Sequence, residues 1–273
     1  MRRKTLIQIY TTEVIIRSLH EKYNNLVDSV KIYCSDSLFE VDGLYSDDPI
    51  FHELMNDIKM NRLEYRYLES REYTKSEIKQ AEYFYMHIPY PWEREPEKDA
   101  EYYGTKFEYD DEHQCESCRK QLSDLLFDTR KMGKRHFVTI VPELIVSELV
   151  KQIIEEHGLT GCTFATAKDY KGRQSQPYYQ LIITNILPPV DPGVRIEAAD
   201  FPVKQCPSCP YLGFRRSEFI YKRSEFGKQT DFNLTLERFD AYQSREVIVS
   251  AKVKELFDKH KIKVYDYEPI HFK

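Results

Sequence analysis

The chain has 273 residues, 41% hydrophobic, 31% charged and 14% aromatic, with a formal net charge of −5. That length can bury a core, and 21 Tyr with 15 Phe are too many for a disordered chain. The acid excess excludes coating nucleic acid or anionic membrane by bulk charge, and 9 Gly with 13 Pro exclude collagen-like and most low-complexity classes.

Residues 1–90 read as an α+β unit. The N-terminus has a basic start, but its apolar stretch is broken by Gln8, Thr11 and Thr12, too short for the core of a signal peptide. Leu6–Ile9 and Val30–Tyr33 have strand character, and Phe51, Leu54, Met55 and Ile58 recur at helical spacing. Leu63–Leu68 mostly alternates, and Thr74-Lys75-Ser76-Glu77 has the form of a capping box. No apolar run approaches the ~18–20 residues of a membrane helix, so the expectation is a cytoplasmic protein without a membrane partner.

Pro89 and Pro91 end this regularity, and residues 91–114 form an acidic segment. From Glu93 to Glu116 ten acids face Arg94, Lys98 and Lys106. Tyr102, Tyr103, Phe107 and Tyr109 are interleaved with acids such as Asp110 and Asp111. Such a stretch is either a solvated linker or a docking surface for a basic protein partner, because aromatic residues anchor interfaces.

Two Cys-x-x-Cys pairs follow, Cys115/Cys118 and Cys206/Cys209. In a large cytoplasmic chain such pairs read as metal ligands before they read as disulfides. Two intervening residues let both sulfurs of a turn reach one ion, and two turns complete a tetrahedral thiolate shell suited to one structural zinc. Cys206 comes 88 positions after Cys118, so the fold rather than a local finger would assemble the site. Cys34 and Cys162 are expected to be buried bystanders. A zinc deaminase signature is absent: His113 is followed by Gln114, and Gln205 precedes Cys206.

Residues 115–273 also repeat at an offset of 103. Glu143, Ile145, Val146, Ser147, Val150, Lys151 and His157 recur as Glu246, Ile248, Val249, Ser250, Val253, Lys254 and His260. Ser147 and Ser250 are candidate N-caps of helices whose apolar stripes face a core. His157 and His260 suit the last helical turn, with Gly158 as a C′ residue. Thr163–Ala165 and Asp266–Glu268 are the strand candidates that follow. Two halves, about 115–190 and 200–273, would each donate one cysteine turn to a shared ion.

Basic residues flank both turns: Arg119 and Lys120 after the first, Arg215, Arg216, Lys222 and Arg223 after the second. With neighbouring aromatics they could track phosphates and stack bases, the alternative function of a zinc-dependent nucleic-acid-binding module. No Gly-x-x-x-x-Gly-Lys, Gly-x-Gly-x-x-Gly, His-Glu-x-x-His or Gly-x-Ser-x-Gly is present, so no motif points to catalysis.

The paired Cys-x-x-Cys turns, the repeated Ile-Val-Ser-x-x-Val-Lys unit and the tail Val264–Ile270 resemble bacterial immunity-type proteins found with polymorphic toxins, in particular the double-CxxC group. The resemblance covers roughly 115–273. It implies a non-enzymatic cytoplasmic protein that binds and neutralises a cognate toxin, and it carries over no binding residues.

Overall fold

Thr5, Ile7 and Ile9 alternate with Lys4, Leu6 and Gln8, and in the computed structural model this alternation becomes strand β1 (Arg2–Tyr10) with the first set buried. The structure describes residues 2–24, 30–89, 124–129, 133–140, 143–169, 178–199, 203, 206–240 and 243–273. Strands and helices mix throughout, the expected α+β class. The chain divides into two compact units, Met1–Gln80 and Ala81–Lys273. Among the described residues no helix is long and apolar enough to cross a membrane.

In the first unit β1 is followed by α1 (Glu13–Tyr23), β2 (Lys31–Cys34), β3 (Leu38–Tyr45), α2 (Pro49–Met60), β4 (Glu64–Glu72) and α3 (Lys75–Gln80). The sheet order is β2-β3-β1-β4 with every neighbouring pair antiparallel, the ferredoxin-like β-α-β-β-α-β topology. Both helices bury their apolar stripes on one face: Ile16, Leu19, Leu54 and Ile58 pack with Ile7, Ile9, Phe39 and Val41. The outer positions of β3 hold Glu40 and Asp42, paired with Gln8 and Leu6 of β1.

Two helix starts in this unit follow local rules. Asp48 accepts a hydrogen bond from Ile50 N at 2.9 Å, with Pro49 as the first helical residue. Asp48→Ala is expected to cost about 1 kcal/mol, read as a lowered urea midpoint with unchanged slope. The expected capping box also forms: Thr74 N donates to Glu77 Oε2 at 2.8 Å, and Glu77 N donates to Thr74 Oγ1 at 3.2 Å.

The second unit begins earlier than the expected boundary near residue 90. Strand β5 (Tyr83–His87) pairs with two strands far along the chain and belongs to their sheet. After it come β6 (Leu126–Phe127), β7 (Phe137–Ile140), β8 (Glu143–Ser147), α4 (Glu148–Glu156), β9 (Cys162–Thr166), β10 (Lys168–Asp169) and β11 (Tyr178–Ile183). Then follow β12 (Ile196–Glu197), β13 (Tyr211–Arg215), β14 (Ile220–Tyr221), α5 (Arg223–Phe226), β15 (Phe232–Phe239), β16 (Ser244–Ser250), α6 (Ala251–Lys259), β17 (Asp266–Pro269) and β18 (His271–Phe272).

One sheet has the order β7-β8-β11-β9, and the larger sheet contains β15-β16-β5-β17. In both, a hairpin leads through a helix to an outer strand, and a middle strand antiparallel to both neighbours fills the gap. The registers correspond. Ile145 and Ala165 flank Gln180, while Ile248 and Glu268 flank Tyr85. Phe137 opposes Val146, and Phe232 opposes Val249. The middle strands differ in origin, since β11 follows its helix whereas β5 precedes everything else in the unit.

The helices end alike. His157 and His260 are the C-caps, and Gly158 and Lys261 after them are both left-handed at φ +57°. The His157 and His260 rings lie 6.1 Å apart, and Lys252 Nζ donates to His157 O at 2.8 Å. Fully buried Phe257 joins the modules, with ring centroids 6.1 Å from Phe137 and 6.3 Å from Phe232. Of the two serine caps, Ser250 Oγ accepts from Val253 N at 3.4 Å, whereas Ser147 Oγ meets His136 Nδ1 at 3.0 Å.

Candidate functional site

The turn Cys206-Pro207-Ser208-Cys209 leads into β13. Cys206 is 5% exposed and Cys209 is fully buried, and the two cluster together. Arg238 of β15 fixes the turn by donating from Nε to Cys209 O at 3.0 Å, while its backbone N donates to Pro210 O at 2.9 Å. Two adjacent buried thiols on a pinned turn are the donor chemistry of half a structural zinc site. Cys115 and Cys118 lie outside the described residues, as do Tyr102, Tyr103, Phe107, Tyr109, Asp110, Asp111, Arg119 and Lys120. Among the described residues no three His, Cys, Asp or Glu gather as a metal site. Cys34 and Cys162 are partly exposed rather than buried. Burial, then the charge of Asp231, pushes the Cys162 thiol up to about 12.

Of the basic residues proposed for nucleic acid, Arg215 is buried instead of presented to a ligand. Its side chain is 8% exposed and grips Glu268, itself 7% exposed, through Nη1–Oε1 at 2.8 Å and Nη2–Oε2 at 3.0 Å. The other three are on the surface and each meets a carboxylate: Arg216 with Glu197 at 2.5 Å, Lys222 with Glu225 at 2.9 Å, Arg223 with Glu82 at 2.5 Å. Such exposed pairs contribute little to stability, but they compete with any phosphate for the same cations.

Around Arg215 lies a group of ionisable side chains. Its guanidinium stands 4.3 Å from the Phe219 ring centroid and 4.9 Å from that of Tyr85. His87 Nε2 is 3.5 Å from Glu268 Oε2, and the Tyr85 and His87 rings are 4.1 Å apart. Glu246 reaches the Tyr85 hydroxyl, and Asp240 stands nearby. At the matching register positions of the other sheet, Gln180 Nε2 donates to Glu143. Two carboxyls titrate high. Burial, reinforced by the charge of Asp240, pushes Glu246 up to about 7, and burial raises Asp240 as well.

A cavity of about 140 Å³ opens beside this group, between strands that part. The β5–β16 ladder begins at Ser250–Tyr83 and has its last rung at Ile248–Tyr85. Beyond it the chain of β5 turns away, so that Thr139 N of β7 donates to Pro89 O at 3.0 Å. On the other side β15 bulges between Leu234 and Arg238, where Thr235 Oγ1 takes the hydrogen bond from Glu246 N at 2.9 Å. The cavity walls include the apolar Met86, Ile88, Leu144, Leu234 and Val247 and the polar His87, Thr139, Ser244, Arg245 and Glu246. No motif marks this site; its one sequence signal is the acid repeated at Glu143 and Glu246.

Glu246 makes stability depend on pH. Its folded value of about 7 lies above its ordinary 4.5, so its stabilising contribution is full below about pH 4.5 and is lost as pH rises through 7. Glu246→Gln is expected to flatten that loss and to be more stable than wild type at pH 8 by up to about 3 kcal/mol, read from urea unfolding at pH 5 and pH 8.

No known protein family matches the chain, and no curated protein is similar to it.

Proposed function

We propose that the chain is a non-enzymatic, zinc-stabilised protein-binding factor of the immunity or antitoxin kind, acting in the cytoplasm by occluding a partner. The observation that carries this reading is the buried, backbone-pinned pair Cys206 and Cys209. With Cys115 and Cys118 it would complete a closed four-thiolate site, which stiffens a fold and leaves no open position for a reacting water. The matched registers of the two modules support a duplicated origin in which each half supplies one cysteine turn. Arg215, bound to Glu268, serves the scaffold rather than a ligand. The acidic, aromatic segment containing Tyr102, Tyr103, Phe107, Tyr109, Asp110 and Asp111 supplies the chemistry to meet a basic toxin surface.

The test is a nuclease-treated pull-down from the native host, followed by co-expression of what is captured. One stoichiometric protein is expected, toxic alone and harmless together with this chain. Recovery of nucleic acid without a protein partner, with affinity falling steeply as salt rises, would replace this reading with the nucleic-acid module.

A further inference from the structure

Arg245 is the polar wall of the cavity that the rest of the fold leaves unused. Its Nε is buried without a hydrogen-bond partner. Glu237 on β15 feels its charge, but Glu237 Oε2 is likewise buried without a partner, so the two do not bond. A half-buried guanidinium lacking a hydrogen-bonded acid is an unmet demand for an anion. Other wall groups include donors: the hydroxyl of Ser244 and the ring of His87. The walls also include Met86, Ile88, Leu144, Leu234 and Val247, which have nothing to offer a charge and suit an apolar body. The volume, about 140 Å³, is close to that of the engineered cavity that admits benzene, about 150 Å³.

We infer that this cavity is a binding site for a small monocarboxylate with a short apolar or aromatic body, its carboxylate on Arg245 and its body against the Met86–Ile88 and Leu144–Leu234–Val247 wall. The site is independent of the partner-binding reading, because it uses neither the cysteine turns nor the acidic segment. Glu246 also lines the cavity, which sets a condition on occupancy. Glu246 is faced by Tyr85 and His87 from β5, by Arg215 from β13 and by Asp240 beyond β15, with Glu268 of β17 holding the far side of Arg215. A protonated Glu246 can donate to the ligand, and an ionised one repels it.

The test titrates the full-length protein with benzoate, and with benzamide as the neutral isostere, by calorimetry at pH 6 and pH 8. Benzoate is expected to saturate one site. It should bind about tenfold more tightly at pH 6 than at pH 8, as one carboxyl titrating near 7 requires. Arg245→Met, which keeps the apolar stem, should abolish binding, and Glu246→Gln should keep binding while removing its pH dependence. Equal affinity for benzoate and benzamide, no saturable benzoate binding, or unchanged binding by Arg245→Met would each overturn the assignment. Should Arg245→Met fail to fold, a wild-type-like pH dependence in Glu246→Gln would overturn it alone. None of these outcomes bears on the host pull-down, so the two proposals fail separately.

Discussion

Replacing Arg215 with alanine is expected to destabilise the second unit by about 3–5 kcal/mol. Arg215 and Glu268 are both nearly inaccessible, and the pair is bidentate. Bringing two charges out of water is costly, and their attraction offsets that cost only while both are present. Removing the guanidinium leaves the Glu268 carboxylate buried, with His87 Nε2 3.5 Å away. The loss also removes a cation that holds down Asp240 and Glu246, so those carboxyls should be driven further toward their neutral forms. Packing is lost too, because the guanidinium covers the Phe219 and Tyr85 rings. The double variant Arg215→Met/Glu268→Leu removes both charges while filling similar space, and it should recover most of the stability. Hydrogen exchange at Tyr83–His87 and Asp266–Pro269 reports the result locally, since β5 and β17 carry the pair's surroundings. Arg215→Ala with wild-type protection but weakened nucleic-acid binding would restore Arg215 to the ligand role the sequence suggested.

That role looked reasonable in the sequence because Arg215-Arg216 sits beside aromatics and a cysteine turn. Nothing local distinguishes the two arginines. What separates them is the alternation of β13 together with an acid 53 positions away, Glu268, brought opposite only by the sheet. The same limit explains β5. Tyr83–His87 is strand-like in sequence, but its partners are Ile248 and Glu268, and no short-range pattern announces a pairing across more than half the chain. Local rules worked where the physics is local. The Thr74–Glu77 capping box, the Ser250 cap and the left-handed Gly158 after His157 all follow from backbone groups a few residues apart. Ile145 and Ile248, similar residues 103 positions apart, take matching register positions in their two sheets. The cavity was not legible, because it arises where a ladder stops and a bulge begins. Those features depend on which strands meet rather than on composition.

Cys206→Ser is expected to lose zinc and more than about 4 kcal/mol of stability in the second unit together. The substitution keeps the size and nearly the shape of the side chain, and Cys206 lies at the surface side of its pair, 5% exposed against 0% for Cys209. Packing alone therefore predicts a small loss, whereas removal of one of four thiolates predicts a large one, because metal affinity is folding free energy when the unfolded chain has no preformed site. Metal content by mass spectrometry and urea unfolding of the same samples separate the two. The control is wild-type protein stripped of metal by a chelator. If zinc carries the effect, stripped wild type and Cys206→Ser unfold at the same denaturant concentration, and Cys115→Ser matches them although its turn is 88 positions or more away in sequence. Matching loss from either turn would mean one ion spans both halves. Loss from Cys206→Ser alone would mean that the turn pinned by Arg238 stabilises the fold through its own packing, and the shared site would be overturned.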